Sequence, residues 1–142
     1  MSWDKELEEL RHREGLAEQM GGGDKVARQH SRGKMDARAR LAALVDPGSF
    51  REIGKIAGKA SYDEVGNLEH ILPAPFLFGK AEINGRPVVA TADDFTIRGG
   101  AADAGISRKM VQAEKMAHEL KLPIVRMIDG TGGGGSVKTL EQ

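Results

Sequence analysis

The sequence predicts an α/β fold preceded by an amino-terminal helical arm. Two strand-like segments, Phe76 to Ile83 and Pro87 to Ala92, are separated by the turn dipeptide Asn84-Gly85. A helix-like segment and another apolar segment follow. Strand, helix and strand in this order form the repeating unit of α/β proteins, in which a right-handed crossover returns the chain to its sheet.

Residues 1–48 are predicted to form the helical arm. Residues 1–20 carry six acids and three bases, a net charge of −3, with apolar residues at helical spacing from Trp3 to Met20. Gly21-Gly22-Gly23 is expected to end this first helix. Residues 21–45 carry six bases and two acids, a net charge of +4.

Two aspartates are predicted to begin the next two helices. Asp24 is expected to cap a helix through His30, and Asp36 one through Val45, because a carboxylate accepts hydrogen bonds from first-turn amides. Asp46-Pro47-Gly48 then forms a turn. The arm has little apolar surface, so we expect it to pack on another subunit or on further chain.

Residues 49–142 are predicted to form the start of the following domain. Asn84-Gly85 indicates a two-residue hairpin turn, because both of its central positions need positive φ. A helix is predicted over about Ala104 to Leu120, where apolar residues share one face. Pro123 to Ile128 is typical of a buried strand, and a glycine-rich loop follows it directly.

Composition narrows the classes of function. The 21 bases balance the 21 acids, so neither nucleic acid nor a membrane surface is an expected partner. The sequence has no membrane-length apolar run and no hydrophobic signal core, which predicts a cytoplasmic location. Without cysteine there is no disulfide, thiolate metal site or cysteine nucleophile, and the four histidines lack metal-ligand spacing.

The loop from Gly130 to Ser136 is the main candidate site. Glycines let the backbone approach a ligand closely and leave amides free to point at one spot. Gly130, Gly132 and Gly135 match G-x-G-x-x-G, although any run so rich in glycine matches easily. A Walker loop is excluded because no lysine follows Gly135 directly. A small nucleotide- or phosphate-binding module and a flexible linker both stay open.

Two other features have weaker functional interpretations. Asp93 and Asp94 are adjacent, so in a strand they point to opposite faces and do not form an acid–base pair. One of them is expected to cap a turn. The basic stretch from Lys25 to Arg40 could contact phosphate, but a solvated helix face is the favoured interpretation.

A series of segments from about Gly15 to the end of the chain is more specific than any single glycine pattern. They are Gly21 to Lys25, Gln29-His30, Gly33 to Arg40, Leu44 to Phe50, Ile83 to Val88, Asp94 to Gly100, Leu122 to Ile124 and Ile128 to Gly133. In this order they resemble the amino-terminal part of the carboxyltransferase (beta-type) subunit of biotin-dependent acyl-CoA carboxylases, the propionyl-CoA and methylcrotonyl-CoA type.

The resemblance implies a crotonase-like fold of ββα units, incomplete in this chain, whose amino-terminal domain binds acyl-CoA. Family members are several times longer and oligomeric. The expectation is therefore a fragment that is inactive alone and belongs to a full-length homo-oligomer. An assembly or scaffold protein, in which residues 1–45 dock a partner, is the structural alternative.

The resemblance also implies a reaction. A carboxyl group passes from carboxybiotin to the α-carbon of the acyl-CoA through a thioester enolate, whose oxygen is stabilised by backbone amides. In this family biotin itself is thought to take the substrate proton. The sequence has no Met-Lys-Met biotinylation site, so biotin is expected on another chain or domain, a biotin carboxylase or biotin carrier subunit.

The resemblance assigns site residues within two loops. Gly132 and Gly133 are the catalytic assignments, because they line the acyl-CoA pocket and offer an oxyanion amide. The substrate-binding assignments are Arg98, Gly99, Gly100, Gly130 and Thr131. Arg98 replaces an apolar residue of some relatives and the glycine loop is longer than theirs, so the acyl group is not specified.

Overall fold

The computed structural model describes residues 2–100 and 104–130. Its helices are α1 (Asp4–Glu18), α2 (Gly23–Ser31), α3 (Ala37–Leu44) and α4 (Ala104–Leu120), with a short 3-10 turn at Arg98–Gly100. Its strands are β1 (Arg51–Glu52), β2 (Gly58–Tyr62), β3 (Leu68–Pro73), β4 (Phe76–Ile83), β5 (Arg86–Asp93) and β6 (Ile124–Met127). Three helices therefore come first, and α4 lies between the last two strands, as the sequence predicted.

A four-stranded mixed sheet organises these elements. Its order is β1-β4-β5-β6, and β2 and β3 form a separate antiparallel pair. β4 pairs antiparallel with β5, while β5 pairs in parallel with β6, bringing Val89 opposite Ile124. The connection between the parallel strands contains α4, so the predicted strand–helix–strand unit is confirmed.

The turn between β4 and β5 is the predicted hairpin turn. Asn84 and Gly85 both have positive φ, 50° and 74°. The two carboxylate oxygens of Asp46 accept hydrogen bonds from the amides of these residues, at 2.8 and 2.7 Å. The turn that follows α3 thus holds the tip of the hairpin.

Two apolar clusters lie on opposite faces of the sheet. On one face α3 contributes Ala37, Leu41 and Val45 to a cluster with residues of β4 and β5. On the other, α4 contributes Ala113 and Ala117. The expectation that the arm packs only on another subunit or further chain is therefore wrong for α3, whose small apolar residues cover this chain's own sheet. The division at residue 48 stays a prediction.

Of the two predicted aspartate caps, one is confirmed and the other is wrong. Asp36 caps α3, its Oδ1 accepting a hydrogen bond from the Ala39 amide at 2.9 Å. Asp24 is not a cap, because α2 begins at Gly23 after Gly22 and has no side-chain cap. A three-glycine run gives the backbone enough freedom to start the helix without a carboxylate.

β6 differs from the buried strand that its apolar run predicted. Its residues are half-buried or exposed, and Ile128 beyond it is 74% exposed. Within the described part of the chain, β6 pairs with β5 alone and forms an edge of the sheet. An apolar run does not by itself distinguish an edge strand from an interior one.

Candidate functional site

The segment between β5 and α4 contains three consecutive residues with left-handed backbone. Arg98, Gly99 and Gly100 have φ of 50°, 64° and 70°. Glycine adopts this conformation without penalty, whereas it is uncommon for a residue such as arginine. The Gly100 amide donates to the Ile97 carbonyl at 2.9 Å, so this amide is used within the turn and is not a free donor.

This glycine segment lies directly against the start of the predicted loop. A Cβ at Gly100 would lie 2.4 Å from the carbonyl oxygen of Asp129. A Cβ at Gly130 would lie 3.9 Å from the Gly100 oxygen and 4.0 Å from the Gly99 oxygen. The structure thus brings Gly99, Gly100 and Gly130 together, while Thr131, Gly132 and Gly133 lie outside the described residues.

The Gly130 amide has no hydrogen-bond partner among the residues that the structure describes. An unpaired main-chain N–H beside two glycine residues can donate to a ligand oxygen that approaches the backbone closely. This arrangement suits a thioester or phosphate oxygen better than a bulky apolar group.

A basic cleft of about 270 Å³ adjoins the glycine segment. Four of its lining residues are bases, and none of the described lining residues is an acid. Arginine and lysine side chains in such numbers favour phosphate groups as ligands. The lining residues of the basic cleft are Lys25, Arg28, Gln29, Arg32, Phe95, Thr96, Arg98 and Gly99.

Gly21, which precedes α2, makes a close backbone contact with Thr96, a residue that lines the basic cleft. A Cβ at Gly21 would lie 2.1 Å from the Thr96 carbonyl oxygen, so only glycine fits there without a shift. The Gly21 amide also donates to Thr96 Oγ1 at 3.0 Å. The contact between Gly21 and Thr96 therefore fixes how closely the helical arm packs against the β5–α4 segment.

The side chain of Asp94 fixes the start of the same β5–α4 segment through hydrogen bonds. The carboxylate is 1% exposed, and its Oδ1 accepts hydrogen bonds from the Thr96 amide at 2.9 Å and from Thr96 Oγ1 at 2.6 Å. Burial raises the pKa of the Asp94 carboxyl, and the hydrogen bonds from Thr96 act in the opposite direction. The expectation that one of the two adjacent aspartates caps a turn is confirmed.

The basic stretch from residue 25 to 40 divides into two parts. Lys25, Arg28 and Arg32 are exposed, as the favoured interpretation of a solvated helix face predicted, and the same side chains line the basic cleft. The later bases pair with acids: Lys34 with Asp129 at 2.9 Å, and Arg38 with Glu52 at 2.8 Å. Sequence spacing did not show this division, because the acids that pair with the later bases come from distant segments.

The histidines have no metal-binding arrangement among residues 2–100 and 104–130, which contain no cluster of three or more potential ligands. His30 instead lies 2.8 Å from Asp36. Burial raises the pKa of the Asp36 carboxyl, but hydrogen bonds from Ala39 and His30 outweigh it and leave the pKa below its usual value. None of the helices in these ranges is long and apolar enough to cross a membrane.

Comparison with known proteins identifies the family of this chain. The carboxyl transferase domain family model matches residues 28–141. The propionyl-CoA carboxylase carboxyltransferase subunit of Haloferax mediterranei is 32% identical over 93% of this chain and 26% of its own length. The methylmalonyl-CoA carboxyltransferase 12S subunit of Propionibacterium freudenreichii subsp. shermanii is 36% identical over 89% of this chain and 24% of its own length.

A solved structure agrees on the fold. Transcarboxylase 12S with methylmalonyl-coenzyme A and methylmalonic acid bound superposes with a TM-score of 0.80 and 31% identity, over 98% of this chain and 27% of that one. The expected crotonase-like α/β architecture is thereby confirmed. The chain spans about a quarter of the length of the curated relatives it matches. The chain belongs to the carboxyl transferase domain family, the family that its sequence segments resembled.

Proposed function

We propose that the chain binds acyl-CoA as part of a carboxyltransferase subunit. The observation that carries this proposal is the position of Gly99, which both lines the basic cleft and borders Gly130. CoA has phosphates at one end and a thioester at the other. The basic cleft provides a site for the phosphates, and the glycine segments provide a backbone surface for the thioester.

The glycine segments also suit the chemistry that the family's relatives perform. When the α-proton leaves an acyl-CoA, negative charge develops on the thioester oxygen, and preoriented N–H groups stabilise it. The Gly130 amide is one such donor. Gly132 and Gly133 stay predictions for this role, as does Thr131 for substrate binding. No side-chain nucleophile is needed for this step.

Carboxybiotin enters this proposal as a substrate that another chain or domain delivers and that supplies the carboxyl group. Because this chain spans a quarter of its relatives' length, carboxyl transfer is proposed for a full-length homo-oligomeric subunit and not for this chain alone. The 12S relative is described as a hexamer assembly. A cytoplasmic location stays a prediction.

Isothermal titration distinguishes acyl-CoA binding from the alternative, a nucleotide- or phosphate-binding module. We expect propionyl-CoA to bind more tightly than the isolated adenine nucleotide portion of CoA, since the thioester arm adds contacts at the glycine segments. Equal affinities for the two ligands would support the phosphate module. No binding of either ligand would contradict both functions.

A further inference from the structure

Asp129 lies two residues beyond β6, and its carboxylate interacts with three side chains of the helical arm. Lys34 Nζ donates to its Oδ1 at 2.9 Å, and Gln29 Nε2 donates to its Oδ2 at 3.3 Å. Arg40 Nη2 lies 3.7 Å from Oδ2. The carboxylate side chain is 16% exposed. One carboxylate thus connects α2, the segment after it, and α3.

The backbone of Asp129 is held at the same time by the other half of the site. Its amide donates to Asp93 Oδ2 at 3.2 Å. Its carbonyl oxygen occupies the space that a side chain at Gly100 would need, 2.4 Å from that Cβ. Asp129 is therefore fixed between the helical arm on one side and the end of β5 with the glycine segment on the other.

Lys34 links this arrangement to the basic cleft. Its ammonium lies 4.8 Å from the centre of the Phe95 ring, a cation–π contact, and Phe95 lines the cleft. The side chain of Lys34 is 46% exposed, so its ion pair contributes little to the stability of the fold. Its effect is expected on the position of Asp129 and of the adjoining glycines.

We propose that Asp129 is a positioning residue: through Gln29, Lys34 and Arg40, the helical arm sets the distance between its own basic side chains in the cleft and the Gly99–Gly100 and Gly130 backbone. This inference rests on the proposed function, because it concerns how the phosphate end and the thioester end of one ligand are kept in register. A misplaced backbone donor weakens contact with the thioester and leaves phosphate contacts intact.

The test compares Lys34→Met, Lys34→Arg and Asp129→Asn with Lys55→Met. Lys55 is the matched control, because it also joins the arm to the body, through Glu18 at 2.7 Å, but contacts neither the cleft nor the glycines. Two quantities are measured: amide chemical shifts of Gly99, Gly100 and Gly130 by NMR, and affinities for propionyl-CoA and for the nucleotide portion of CoA.

We expect Lys34→Met and Asp129→Asn to shift the three glycine amides and to weaken propionyl-CoA binding about tenfold, as for one lost charge-assisted hydrogen bond. Affinity for the nucleotide portion should stay unchanged. Lys34→Arg should restore both readouts, and Lys55→Met should alter neither. Lys34 is on the surface, so its variants are expected to keep the unfolding midpoint of the wild type.

Unchanged glycine shifts and unchanged propionyl-CoA affinity in Lys34→Met would overturn the positioning role. Equal losses for both ligands would also overturn it, because they would indicate a general loss of structure. If the wild-type chain bound no CoA ligand, the proposed function would fail, and the glycine shifts would still decide whether the arm positions Asp129.

Discussion

Lys109 is a buried base on the sheet-facing side of α4. It is 7% exposed, and its Cε would lie 3.4 Å from a Cβ at Gly54. Burial lowers the pKa of Lys109 to about 8, although the Glu52 carboxylate raises it, and Arg38 lowers it further. Charging this residue therefore costs folding free energy at neutral pH.

The pH dependence of stability follows from that lowered pKa. Between about pH 8 and 10.5 the unfolded chain binds more protons than the folded one, so stability rises with pH across this window. We expect Lys109→Met to remove this rise and to add about 2–3 kcal/mol at pH 7. Urea unfolding at several pH values measures both effects.

Lys115→Met is the control for this prediction, because Lys115 is exposed on the same helix. It should keep the rise in stability above pH 8. If the stability of the wild-type chain is flat or falls between pH 8 and 10, and Lys109→Met gives the same pH dependence, Lys109 does not titrate as a buried base.

Gly100 tests the close contact between the two glycine segments. Gly100→Ala places a Cβ 2.4 Å from the Asp129 oxygen, at a φ of 70°. Gly48 has a nearly equal φ of 73° with nothing within 4 Å of its Cβ, so Gly48→Ala incurs only the backbone cost. We expect Gly100→Ala to cost about 1–3 kcal/mol more in urea unfolding. Equal costs would mean that the segments are not in contact.

At the scale of elements, the docking of the arm depends on Gly21. Gly21→Ala should destabilise the chain by about 1–3 kcal/mol, because the new Cβ lies 2.1 Å from the Thr96 oxygen. Gly15→Ala, inside α1 with nothing within 4 Å, should instead stabilise it by about 0.5–1 kcal/mol. Thermal unfolding of both variants checks the pair. A neutral Gly21→Ala would indicate that α2 is not seated on Thr96.

The elements that local sequence predicted correctly are those with a local physical cause. The Asn84-Gly85 turn needs two positive φ values, and α4 has an apolar face of its own. α3 and β6 were misjudged because their environments depend on distant residues. Ala37 and Leu41 become core only where β4 and β5 cover them, and β6 is at an edge only because of the sheet order.

The candidate site shows the same limit. Family resemblance identified Gly99, Gly100 and Gly130, and the structure places them together. The basic cleft could not be predicted, because Arg98 joins Lys25, Arg28 and Arg32 only after the arm docks on the β5–α4 segment. The contacts of Asp129 span about a hundred residues of sequence and leave no local pattern.

At the scale of the whole molecule, the arm and the β5–α4 segment together build the basic cleft. Its charge is local, since the chain as a whole has 21 bases and 21 acids. We expect a ligand with phosphates to be attracted by this cleft and not by the net charge of the protein. The central claim is that CoA phosphates bind there while the thioester reaches the glycines.

The most direct test of this claim is a thermodynamic cycle measured by isothermal titration. Propionyl-CoA and propionyl-pantetheine, which lacks the nucleotide, are titrated into the wild type and into the double variant Arg28→Met, Arg32→Met. Lys5→Met, Arg11→Met on α1 removes the same net charge outside the cleft and is the control.

We predict that the cleft variant loses affinity for propionyl-CoA by about tenfold or more, as expected when charge-assisted hydrogen bonds to phosphate are removed, and keeps its affinity for propionyl-pantetheine. The control should behave as the wild type with both ligands. Equal losses for both ligands, or an unchanged affinity for propionyl-CoA in the cleft variant, would contradict the account.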